Sequence, residues 1–201
     1  MNRRTLILFI LAFFAAVAIV VIASLLHNGL SARATPTALE TILARGARHL
    51  AMPAAAQALK NPVAASAENL RDARLHFADH CAICHGNGGS GDTMMGHGLY
   101  PKPPDLRLPE TQKLSDGELF WVIENGVRFT GMPSFSTPGM QNDSWKLVRF
   151  IRHLPQLTED ERMEMEKYNP KGPDDRHDEQ QEDDFLKGAT PAPKPESHHQ
   201  H

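Results

Sequence analysis

The chain of 201 residues has two cysteines, and they stand three positions apart: residues 81–85 read Cys-Ala-Ile-Cys-His. No other feature restricts the possible folds so strongly. A disulfide-stapled small domain needs more cysteines at wider spacing. A thioredoxin-type redox pair needs a surrounding βαβ pattern, and this stretch has helical periodicity with no strand signature. A zinc site needs two further ligands, and His80 and His85 lie too close in sequence to form the usual second pair. What remains is the attachment signature of a c-type haem. Thiols one helical turn apart can each add to one of a porphyrin's two vinyl groups as thioethers. The histidine directly after the second thiol is then brought under the iron as an axial ligand. The spacing predicts one haem c held by Cys81, Cys84 and His85.

The surrounding sequence has three helix signatures. Ser66 is a natural N-cap, followed by Leu70, Ala73 and Phe77 at helical spacing. Ser115 with Glu118 forms a capping box ahead of Leu119, Phe120, Val122 and Ile123, and Gly126 is a C-terminal stop. The third helix is expected to begin near Asp143 or Ser144, to carry Trp145, Leu147, Val148, Ile151 and Leu154, and to end at Pro155. Between the first two lies a Gly/Pro-rich stretch, residues 86–114. So long a loop fits a compact domain when a large apolar cofactor supplies part of the core. Candidate second axial ligands are His97, His153, Met94, Met95, Met132 and Met140. Met132, in Gly131-Met132-Pro133, follows His85 by 47 residues, enough chain to pass round the haem edge to its far face. His97 is its histidine rival, and Met94 and Met95 have only a short path.

Leu6 to Leu26 is an apolar run broken only by Ser24. As a helix it reaches roughly 32 Å, about the hydrocarbon thickness of a bilayer. Arg3 and Arg4 precede it and no Lys or Arg follows until Arg33, which orients the N-terminus to the cytoplasm and the rest outside. The competing reading is a cleaved secretory signal with Ala32-Arg33-Ala34 as the cleavage site; the length of the run favours an uncleaved anchor. Residues 39–60 are Ala-rich and helix-prone with a break at Pro53. They read as a spacer packing on the following domain, or as a segment whose Arg45, Arg48 and Lys60 meet acidic lipid headgroups. The net charge of −3 divides into +4 over residues 1–68, zero over 69–154 and −7 over 155–201. No segment has the dense basic patch that nucleic acid requires. The expected layout is a cytoplasmic N-terminus (1–4), a transmembrane anchor (5–26), a linker and helical spacer (27–65), a haem domain (66–155) and an acidic, largely disordered tail (156–201). The closing His198-His199-Gln200-His201 reads as exposed polar tail, with divalent-metal binding as the alternative.

Residues 66–155 resemble a class I c-type cytochrome. The helix with Phe77, the run Cys81–Gly86, Pro104-Asp105-Leu106, Asp116-Gly117-Glu118-Leu119, Glu124-Asn125-Gly126, Gly131-Met132-Pro133 and Trp145–Leu154 occur in that family's order. The resemblance implies an all-α fold, three main helices round one covalent haem, preceded here by one transmembrane helix. It implies that the Pro104 carbonyl accepts a hydrogen bond from the proximal His85, that Leu106 leans on the porphyrin, and that His85 and Met132 ligate iron. Ala73 stands where the family usually has glycine at a helix crossing. The implied role is single-electron transfer, not catalysis, in the periplasm at a bacterial inner membrane. The partners would be lipid through the anchor and redox proteins: a quinol-oxidising complex, a terminal oxidase or a dehydrogenase. The carrier reading competes with a haem subunit of a larger membrane enzyme, and with a sensor or peroxide catalyst whose iron is open.

Overall fold

A computed structural model describes residues 2–28 and 31–170; the acidic ending beyond, with its closing histidines, lies outside the described residues. Among these residues the structure is entirely helical. Helix α1 (Arg3–Asn28) is apolar along its length, and none of its described side chains is buried. Arg3–Ser24 is long and apolar enough to cross a membrane. Helix α2 (Ala38–Ala51) starts at a capping box of Thr37 and Glu40 and stops before Pro53; the short α3 (Ala54–Gln57) follows.

The core lies between α4 (Ala67–His80) and α9 (Gln141–His153). Ser66 Oγ accepts the Asn69 amide at 3.2 Å and starts α4. The α4 face of Ala73, Phe77 and Ala78 is buried against Leu147, Val148, Phe150 and Ile151 of α9. Phe77 and Phe150 have ring centroids 5.1 Å apart. Ala73 is buried to its methyl in this cluster, filling the position where glycine would have left room. Helix α8 (Asp116–Asn125) begins at the expected Ser115–Glu118 capping box and packs on α9, with Phe120 stacked on Trp145 at 4.0 Å. Its Gly117 allows close approach of α3, since a Cβ there would meet the Ala56 carbonyl oxygen at 2.1 Å.

Two boundaries differ from the sequence reading. Helix α9 begins at Gln141, ahead of Asp143 and Ser144. Ser144 does not cap it, because its hydroxyl is bonded to Glu124 Oε1 at 2.5 Å. The packed unit is also wider than residues 66–155. On one side Asn61 Nδ2 donates to the Trp145 carbonyl at 2.9 Å, Arg149 Nε donates to the Val63 carbonyl at 2.8 Å, and Met52 and Val63 are buried. On the other, α10 (Glu159–Glu166) returns to α4: Met165 is fully buried, and the buried Arg74 pairs with Glu161 at 2.6 Å and with Glu164. The spacer therefore packs on the domain, and the first part of the acidic segment belongs to the core.

Candidate haem-binding site

Helix α4 ends at Cys81, and a single turn, α5 (Ala82–His85), carries the rest of the motif. The His85 amide donates to the Cys81 carbonyl at 2.9 Å, so both cysteines and the histidine sit on one turn of backbone. Gly86, with φ of 71°, stops the turn and reverses the chain. Both thiols are free. Burial pushes the Cys81 thiol up to about 12, with Cys84 adding to the rise, and burial also raises Cys84. A reactive redox pair has a lowered thiol pKa; these two are moved the other way.

His85 is set into the domain with its ring 6.4 Å from that of Phe77. Its Nδ1 is buried and makes no hydrogen bond of acceptable geometry. Burial lowers the imidazole pKa, while the Pro104 carbonyl facing it acts in the opposite direction. The loop that brings Pro104 there is tightly built. The Gly91 amide donates to the His85 carbonyl at 2.8 Å, and the Leu106 amide to the Gly89 carbonyl at 2.7 Å. A Cβ on Gly91, whose φ is 74°, would lie 2.4 Å from the Pro103 carbonyl oxygen. Leu106 is buried in the core cluster.

The loop with Met132 folds back on the end of α8. The Val127 amide donates to the Met132 carbonyl at 3.0 Å, the Met132 amide to Thr130 Oγ1 at 3.1 Å, and the Phe135 amide to the Ile123 carbonyl at 3.0 Å. Gly131 abuts Leu99. Met132 is half-buried. The rivals are placed differently. Met94 and Met140 are exposed, as is Met95. His97 Nε2 is 2.6 Å from Asp92 Oδ1, and His153 Nε2 is 3.0 Å from Glu161 Oε2.

Several contacts that support these segments carried no signal in the sequence reading. Thr93 Oγ1 donates to the carbonyls of Ile83 and Cys84, at 2.9 and 3.1 Å. Gln112, in the short helix α7 (Pro109–Gln112), ties the Leu106 carbonyl to that of Ile151, at 2.7 and 2.8 Å. Glu124 joins the methionine loop to α9 by accepting from Ser136 at 2.9 Å and from Ser144. Each spans ten or more residues or a loop of irregular backbone, where short-range patterns are uninformative.

The donor set fits a c-type haem: two protonated thiols and an imidazole on one turn, and an unpaired buried Nδ1 before a carbonyl. Cys81 and Cys84 would form the thioethers and His85 would ligate iron. Among the described residues no group of three or more His, Cys, Asp or Glu side chains could hold a bare metal ion. Residues 68–151 match the family model described as cytochrome C oxidase, cbb3-type, subunit III. No curated protein matches the chain.

Proposed function

We propose, from the premise that residues 68–151 are a c-type cytochrome domain, that this protein carries single electrons at the outer face of a membrane through one covalent haem c ligated by His85 and Met132. The observation that carries the proposal is the Cys81–His85 turn, with two thiols and an imidazole on one turn and the buried Nδ1 facing Pro104. When bound, the haem supplies a one-electron ferric–ferrous couple. Cys81 and Cys84 fix its position. The Pro104 carbonyl would accept a hydrogen bond from His85 Nδ1–H, which would set the tautomer and leave Nε2 free for iron. Leu106 packs at the porphyrin. The Met132 thioether would hold the iron from the loop after α8, favour its ferrous state, raise its reduction potential and keep substrates from it. The other candidates are exposed or already bonded to carboxylates.

Helix α1 would serve as an uncleaved anchor, and Arg3 and Arg4 in its first turn favour an orientation with the domain outside, in the periplasm of a bacterial host. Electrons would come from a quinol-oxidising complex and leave to a terminal acceptor. A second reading, a haem subunit within a terminal oxidase or dehydrogenase, is supported by the description of the matching family, which is that of an oxidase subunit. Purification in mild detergent separates the two: a stoichiometric partner indicates the subunit, a lone chain the carrier.

The ligand set is tested by absorption spectra. The oxidised protein should have the weak far-red band of sulfur-to-ferric-iron charge transfer, and Met132→Ala should lose it and bind carbon monoxide when reduced. Persistence of the band in that variant would reassign the ligand.

A further inference from the structure

Helix α2 carries a stripe of apolar side chains that nothing among the described residues covers. Ile42, Leu43 and Leu50 lie three, four and eleven residues beyond Leu39, with Gly46 in the gap at seven, so all five share one helical face. The four large side chains are 61–85 % exposed. A Cβ on Gly46 would have no heavy atom within 4 Å, so the face is open along its length. The opposite side of the helix is the one that docks. Thr41 and Arg48 are half-buried, and the charge of Glu118 on α8 acts on Arg48. His49 Nδ1 lies 3.1 Å from Glu118 Oε1, and the Tyr100 hydroxyl donates to Glu40 Oε1 at 3.1 Å. The stripe is therefore held outward by bonds on its other side.

We propose that this stripe of α2 lies in the interface of the same lipid bilayer that α1 crosses, and so fixes the orientation of the cytochrome domain on the membrane. Three observations favour lipid as the occupant. Only residues 29–37 separate the two helices, so the start of α2 stays within at most about 35 Å of the end of α1. A tether that short keeps the bilayer at a high effective concentration, which no soluble partner has. The build is that of an interfacial helix, with one leucine-rich face and a polar one, and with the exposed Arg45 at its flank and Arg33 in the tether suited to anionic headgroups. Because Tyr100 and Glu118 tie α2 to the loop after α6 (Met94–His97) and to α8, the domain would turn with the helix and present a constant face to its redox partners.

The test uses the full-length haem protein in vesicles of phosphatidylethanolamine and phosphatidylglycerol. A nitroxide is placed in turn at Leu43→Cys, Ala44→Cys and Val17→Cys, and its accessibility to oxygen and to a water-soluble nickel chelate is read by electron paramagnetic resonance. The expected result is that the label at 43 is several-fold less accessible to nickel and more accessible to oxygen than the label at 44. Adding Gly46→Leu, which completes the stripe, should deepen the label at 43. A label at 43 as open to nickel as that at 44 overturns the proposal, and so does spin–spin broadening at 43, which would mean a second copy covers the stripe. The label at 17 separates failures: wet at 17 sinks the anchor reading, whereas dry at 17 and wet at 43 sinks the α2 proposal alone. The unsubstituted chain should take no label; uptake there would instead mean that Cys81 and Cys84 carry no thioethers.

Discussion

The two sides of the proposed haem site are built to different standards. The side that carries His85 is organised by the protein's own packing. Its turn continues directly from α4, Phe77 and Phe150 pack behind it, and Gly89, Gly91 and Leu106 lock the following loop by backbone bonds and close approach. The side that carries Met132 has less of its own. Phe129 adopts a φ of 62°, which is strained for an aromatic residue, and is 92 % exposed; Met140 is exposed as well. What holds that loop is a handful of polar contacts, chiefly those converging on Glu124. The difference teaches that the side bearing Cys81, Cys84 and His85 is organised by protein packing, whereas under the proposed ligation the Met132 side would draw part of its order from the bond to iron.

Paired substitutions can break or sharpen that contrast. The largest expected effect is on Phe150, which is fully buried: Phe150→Ala should cost about 3–5 kcal/mol in chemical denaturation. Its counterpart Phe129→Ala should change stability by no more than about 0.5 kcal/mol. Equal losses would erase the distinction. Next comes the backbone. Gly91→Ala meets both a left-handed conformation and the Pro103 carbonyl, so it should cost about 2 kcal/mol or more and lower the yield of haem-loaded protein. Gly139→Ala, at φ of 86° with open space around it, should cost about 1 kcal/mol.

The smallest effect concerns pH and the clamp of α10 on α4. Burial raises the Glu161 carboxyl, but the Thr158 amide and His153 outweigh it and leave the group below its ordinary value of 4.5. A carboxyl lowered on folding stabilises the fold above its unfolded-state value and ceases to do so as pH falls through the lowered one. Thermal melts of the wild type and Glu161→Gln should therefore differ at neutral pH and converge as pH falls below the ordinary carboxylate range. A constant gap down to pH 2 would detach α10 from this linkage.

What could be read beforehand follows the range of the interactions. The haem turn and the caps at Ser66 and Ser115 were legible because each is complete within five residues. The start of α9 was not, because the Ser144 hydroxyl is claimed by Glu124, twenty residues earlier. The wider unit was hidden for a related reason. Residues 156–168 are so charged that Met165 is lost in the pattern, and Arg74 becomes a core residue only when Glu161 and Glu164 reach it from about ninety residues away. Met132 was nameable from its separation from His85 and Pro104 from the family resemblance; the contacts of Gly91, Gln112 and Glu124 that support their loops join segments distant in sequence, where periodicity is silent.

The most direct test of the central claim is the intact mass of the full-length protein, matured in a host able to attach haem to cysteine pairs. The expected mass exceeds that of the chain by one haem, the addition survives acid extraction, and it maps to the peptide containing Cys81 and Cys84. A chain at its bare mass, with both thiols open to alkylation, would contradict it.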